Sequence, residues 1–169
     1  MMMKKKLAWL LILVLILNMF LLSACSRRKY DFEAVLDGDN ANLSDAPSVN
    51  VEKGRIREWP MDEYVMWIID LPEYGNYEFD MKFSLDDGDT ERTATVLLWN
   101  LDTGEQYTLS GGYWSTGSWK KTDTTFVAIT IPAGHYAVKL IPDEEAGFER
   151  FVDLYELNVL GIFEEEEAD

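Results

Sequence analysis

The amino-acid sequence predicts an all-β protein, an antiparallel two-sheet sandwich of jelly-roll or immunoglobulin-like type with about eight strands. Three observations carry this. From residue 49 onward, short runs rich in aromatic and β-branched residues recur between turn residues at spacings of roughly 8–12. Within several runs apolar and polar side chains alternate, the period of a strand with one dry and one wet face. Helical periodicity is weak throughout, and about 110 residues in short antiparallel strands suit two stacked sheets.

Taken in order, Lys53 to Trp59 reads as a first strand stopped by Pro60. Glu63 to Leu71 follows, with Val65, Trp67 and Ile69 on one face, ended by Pro72. The cleanest alternation is Tyr77, Phe79, Met81, Phe83 and Leu85, separated by Glu78, Asp80, Lys82 and Ser84. Asp86-Asp87-Gly88-Asp89 then predicts a tight turn. Thr93 to Asn100 is the next strand, and its run Val96-Leu97-Leu98-Trp99 predicts burial on both faces, with Trp67 and Trp99 in the core. Asp102-Thr103-Gly104 turns the chain into Glu105 to Leu109, a hairpin. Gly111 and Gly112 interrupt the pattern before Tyr113. Thr125 to Ile131, a Pro132-Ala133-Gly134 turn, His135 to Ile141, a loop from Pro142 to Gly147, and Phe151 to Leu160 complete the domain.

The hairpin Leu-Leu-Trp-Asn-Leu-Asp-Thr-Gly-Glu, the Gly-Ser-Trp segment and the run Ile-Pro-Ala-Gly-His-Tyr-Ala-Val-Lys-Leu lie between Tyr64 and Leu140. This stretch resembles the β-rich part of some uncharacterised bacterial envelope-associated proteins, in which a similar turn leads into a late strand of a sandwich. The resemblance covers about half the chain, supports the fold, and carries no catalytic residues over.

Ahead of the domain, Lys4, Lys5 and Lys6 precede an apolar stretch from Leu7 to Leu22, the pattern of a secretory signal. Sixteen residues fall short of the roughly 20 that a spanning helix needs. Leu22-Ser23-Ala24-Cys25 holds the only cysteine in the chain and resembles the lipobox of bacterial lipoproteins. That resemblance implies cleavage before Cys25, diacylglycerol on its thiol, and residence on the extracytoplasmic side of the cell membrane, or of the outer membrane in a Gram-negative cell. The expected organisation is a signal peptide at 1–24, a lipidated tether at 25–48, a sandwich at 49–162 and an acidic, disordered tail at 163–169.

The formal net charge is −16. Cleavage would remove three lysines and no acidic residue, taking it to −19. Such a surface repels phosphates, which excludes a nucleic-acid partner. Basic residues do cluster at Arg27, Arg28 and Lys29, beside the lipobox, where headgroups could meet them.

Chemistry is sparse. His135 is the single imidazole, so a metal site built on several histidines is excluded, and its place at the start of a strand predicts an exposed side chain. There is no Gly-x-Ser-x-Gly elbow and no phosphate loop. No catalytic residue is therefore assigned. Calcium wants several oxygens from one loop, and Asp86, Asp87, Asp89 and Glu91 offer them, as do Asp37, Asp39, Asn40 and Asp45. Neither set has EF-hand spacing, and a plain acidic turn is the competing reading. Tyr107, Tyr113, Trp114 and Trp119 crowd a Gly/Ser/Thr-rich region. They predict either a ligand-binding surface or rings packed beneath a loop. Together these features predict a lipid-anchored, non-enzymatic envelope module, binding or structural, whose partner is a protein or a polysaccharide. The alternative is a secreted hydrolase acting on glycans through paired carboxylates.

Overall fold

The computed structural model describes residues 30–86, 91–143 and 148–163. The signal segment, Cys25, the basic cluster at 27–29 and the acidic run at 164–169 lie outside them.

The described residues form β1 (Phe32–Leu36), β2 (Asn50–Glu52), β3 (Arg55–Arg57), β4 (Val65–Leu71), β5 (Gly75–Ser84) and β6 (Glu91–Asn100). They continue with β7 (Gln106–Trp114), β8 (Asp123–Ile131), β9 (Gly134–Pro142) and β10 (Asp153–Phe163). One sheet runs β2-β3-β10-β5-β8, with β1 also on β10; the other runs β4-β9-β6-β7. All pairings are antiparallel. The chain changes sheet at nearly every connection after β4, winding the sandwich as a jelly roll. The Pro132-Ala133-Gly134 turn is one of these crossings, leading from β8 in the larger sheet to β9 in the smaller.

The two inner faces are built by alternation. Tyr77, Phe79, Met81, Phe83 and Leu85 are all buried, and Val65, Trp67 and Ile69 face them from the other sheet with Tyr136, Val138 and Leu140. A chain of edge-to-face rings crosses the core. Trp59 meets Phe151 at 5.3 Å, Phe151 meets Tyr113 at 4.9 Å, and Tyr113 meets Phe83 at 5.0 Å. Such pairs add to the gain from burying the rings themselves.

Three expectations are corrected. First, the stretch taken as tether carries β1, whose Phe32 to Leu36 pair with Gly161 to Leu157, so the domain begins well before residue 49. Second, the strand expected from Lys53 to Trp59 starts in a turn. Lys53 and Gly54 have φ of 54° and 76°, the two positive values that a tight hairpin demands, and they join β2 to β3. These short pieces raise the strand count to ten. Third, β6 is buried on one face only: Val96 and Leu98 point inward, while Trp99 is 37% exposed. An apolar run of four looks the same whether a second layer covers the strand or not, and here none does.

The contrast between faces is testable by chemical denaturation. Phe151→Ala removes a ring held on both sides and should cost about 3–5 kcal/mol. Trp114→Ala, on the wet face of β7, should stay within about 0.5 kcal/mol.

Candidate functional site

The residues expected to form an aromatic surface separate. β7 runs unbroken through Gly111 and Gly112, so alternation sends Tyr113 into the core and Trp114, 58% exposed, to the outside. Burial pushes the Tyr113 phenol above its ordinary range, and its hydroxyl meets Met81 Sδ at 2.7 Å. Both glycines keep their ladder partners, Gly111 with Ala94 and Gly112 with Thr93, and a Cβ at Gly112 would meet only the flexible Glu91 side chain. Tyr107 lies seven residues before Trp114, about 23 Å away along the strand, and donates to Glu105 Oε2 at 3.0 Å. Only Trp119 belongs to the group described next.

That group sits where β10 begins, on the outer side of the six-stranded sheet. Arg55 and Arg57 lie two residues apart on β3 and therefore share a face, with Ile56 buried between them. β3 meets β10 at Ile56 and Leu154, which sets both arginines beside Asp153. Arg55 bonds Asp153 Oδ2, Arg57 Nε lies 3.6 Å from the same oxygen, and Arg150 reaches Oδ1 at 3.3 Å. The carboxylate side chain is 2% exposed, whereas the three arginine side chains are 21%, 36% and 43% exposed. One buried anion thus gathers three cations whose outer edges stay wet. Glu52 accepts from Arg57 at 2.6 Å, and this bond, aided by Asp153, holds the Arg57 guanidinium above its ordinary range.

Two of the cations lie on ring faces. The Arg55 guanidinium is 4.4 Å from the centre of Tyr155, and Arg150 is 5.0 Å from that of Trp119. Tyr155 occupies the register shift between Leu154 and Glu156, a bulge that re-aims its ring. Trp119 comes from the β7–β8 loop, which Thr116 ties to Leu85 in both directions. The Trp119 carbonyl accepts from Arg55 at 3.3 Å and from the Tyr155 hydroxyl at 3.5 Å. Beneath them, buried Arg92 donates to the carbonyls of Arg150 and Phe151, fixing the backbone from which Arg150 springs. The result is a rigid patch of guanidinium edges and aromatic rings, suited to a ligand carrying both planar anionic groups and C–H faces.

Of the first calcium candidates, Asp86 is exposed at the end of β5 and Glu91 opens β6 opposite Trp114; Asp87 and Asp89 lie outside the described residues. In the second, Asp37 Oδ1 accepts from the amides of Asp39 and Asn40, and Asn40 Oδ1 accepts from that of Asp37. Their oxygens close the loop after β1. No group of three or more His, Cys, Asp or Glu suited to a metal ion forms among the described residues.

Several solved structures share this fold. A family 35 carbohydrate binding module from Clostridium thermocellum matches with a TM-score of 0.58 and 12% identity, over 76% of this chain and 97% of that one. A module of the same family from Cellvibrio japonicus gives 0.55 and 17%, over 77% and 94%. A third family 35 module, solved in complex with a glucuronic acid containing disaccharide, gives 0.56 and 18%, over 76% and 93%. At these identities the likeness is one of fold. No protein-family model matches the chain, and neither does any curated protein.

The carboxylates that crowd one another lie further along the same outer sheet face. Burial, then Glu78 and Glu156, raise the Asp80 carboxyl above its ordinary value. Below the ordinary carboxylate range Asp80 is protonated whether the chain is folded or not and contributes nothing. As pH rises, the unfolded chain ionises first and the native state is penalised. Asp80→Asn should therefore raise the melting midpoint at pH 7 and leave it unchanged in strong acid, as thermal melts at both pH values would show.

Proposed function

We propose that this protein is a non-enzymatic polysaccharide-binding module, anchored by lipid on Cys25, which takes acidic polysaccharides at its arginine and aromatic end. One observation carries the reading: three guanidiniums converge on the single buried carboxylate of Asp153, two of them lying on the rings of Tyr155 and Trp119. Three guanidiniums stand together in a chain of net charge −16, and guanidinium donors match a ligand carboxylate in the bidentate manner. The shared fold of the carbohydrate binding modules supports a polysaccharide over a protein partner, and the uronic-acid complex of one of them supports an acidic one.

The anchor fits this geometry. Cys25 lies seven residues before Phe32, so the tether spans at most about 25 Å. β1 starts beside Gly161, near the far end of β10 from Asp153. On this reading the tether joins the domain at the end of β10 opposite the binding patch, which leaves the patch clear of the attachment point.

Affinity electrophoresis of the purified protein through polygalacturonate gels tests the ligand. Retention should weaken about tenfold in Arg150→Ala and fall with added salt; retention untouched by both changes would refute the assignment. For the anchor, metabolic labelling with a fatty acid suffices: Cys25→Ser should abolish the label and leave an unprocessed precursor, whereas normal processing of that variant would dismiss lipidation.

A further inference from the structure

The sandwich leaves one flank open, and we infer that a second copy of this chain closes it by laying its own β8 antiparallel against this one. β8 pairs only with β5, and no strand follows on its far side among the described residues. An edge of this kind presents a row of unpaired N–H and C=O groups, whose complement is another extended strand. The other edges are blunted. Along β4, Met66 exchanges both backbone bonds with Asn42 from the loop after β1. The opposite edge of the larger sheet is short and charged: β2 has three residues ending in exposed Glu52, and β1 has five with exposed Glu33. β7, the free edge of the smaller sheet, carries Gly111 and Gly112, which weaken a strand as a template. β8 has none of these devices. It runs nine residues in unbroken register, and from Thr124 to Ile131 it holds no charge, proline or glycine.

The side chains and flanks of β8 select a second copy as the occupant. Thr124, Phe126, Ala128 and Thr130 stand exposed on its outer side, and Phe126, at 62%, is the most exposed large apolar side chain among the described residues. On the inner side Ile129 is only partly covered by the core, so the apolar surface continues beneath the edge. Lys120 and Lys121 stand exposed just ahead of the strand, where Asp123 accepts from the Thr124 amide. At the other end Ile131 is the register partner of Gly75, two residues after exposed Glu73. A parallel copy would set lysines against lysines; an antiparallel copy brings each lysine pair to the other chain's glutamate. That match centres the two-fold axis near Phe126, so the two rings meet directly or one step diagonally. The contact is isologous and closes on itself. Each copy carries a net charge of −16, which opposes the approach, and the uncharged strand keeps acids out of the contact itself. Pairing joins the two larger sheets into one outer face with an arginine and aromatic patch on each copy, although the dimer does not depend on that patch.

Sedimentation equilibrium of the full-length protein in detergent tests the pairing and should show a reversible monomer–dimer equilibrium. Phe126→Lys, which sets like charges at the axis, should weaken it about tenfold or more and keep the native melting midpoint. Lys121→Glu and Glu73→Lys should each weaken it about threefold, and the two together should restore it. Cys25 is the only cysteine of the chain, so single introduced cysteines report the geometry. Phe126→Cys should cross-link two copies under mild oxidation, whereas Ile68→Cys, exposed on the other sheet, should not. Arg150→Ala should leave the dimer intact, and a protein that dimerises yet ignores polygalacturonate counts only against the arginine site. A monomer up to the highest concentration reached, a dimer indifferent to Phe126→Lys, or failure of the charge exchange to restore association would overturn the inference.

Discussion

The rest of the structure depends on the dry interface between the two sheets. Each sheet has one face that must be removed from water, and the two satisfy each other. The rings that run from Trp59 through Phe151 and Tyr113 to Phe83 tie that interface at the end where β10 begins. Because strands alternate, fixing the inner residues also fixes which side chains stand outside. The wet positions of Trp99 and Trp114 follow from the burial of Leu98 and Tyr113.

The arginine end shows how such a scaffold holds charge. Asp153 is buried at the start of β10, with its ionic partners on β3 and on the turn just before it. An isolated buried carboxylate would be costly, so the surrounding cations stabilise it and are positioned by it. The rings of Tyr155 and Trp119 then restrict two of the guanidiniums from the side, leaving a patch that needs little reorganisation to meet a ligand.

Much of the fold could be read along the chain, because β5 alternates apolar and polar side chains without a break and Asp102-Thr103-Gly104 marks the β6–β7 hairpin. The short β2 escaped notice, because three residues give too little periodicity to detect, and β3 was read within a longer strand from Lys53 to Trp59. Gly111 and Gly112 suggested a break, yet β7 passes through them because their backbones stay paired with Ala94 and Thr93 of β6. The site was the least legible part. Arg55, Arg57, Trp119, Arg150 and Tyr155 are scattered over a hundred positions, and only the pairing of β3 with β10 and the folding over of the β7–β8 loop collect them. Trp119 alone drew attention, through its composition rather than its neighbours.

The pairing of β1 with β10 has a bearing on how the protein is made. Leu36 and Leu157 are register partners 121 positions apart, so the larger sheet joins nearly the first described residues to nearly the last. Closing so long a loop is entropically slow, and it cannot start before the final strand exists. During synthesis the larger sheet would thus remain incomplete, its early strand unpaired, until the residues of β10 are available to close it.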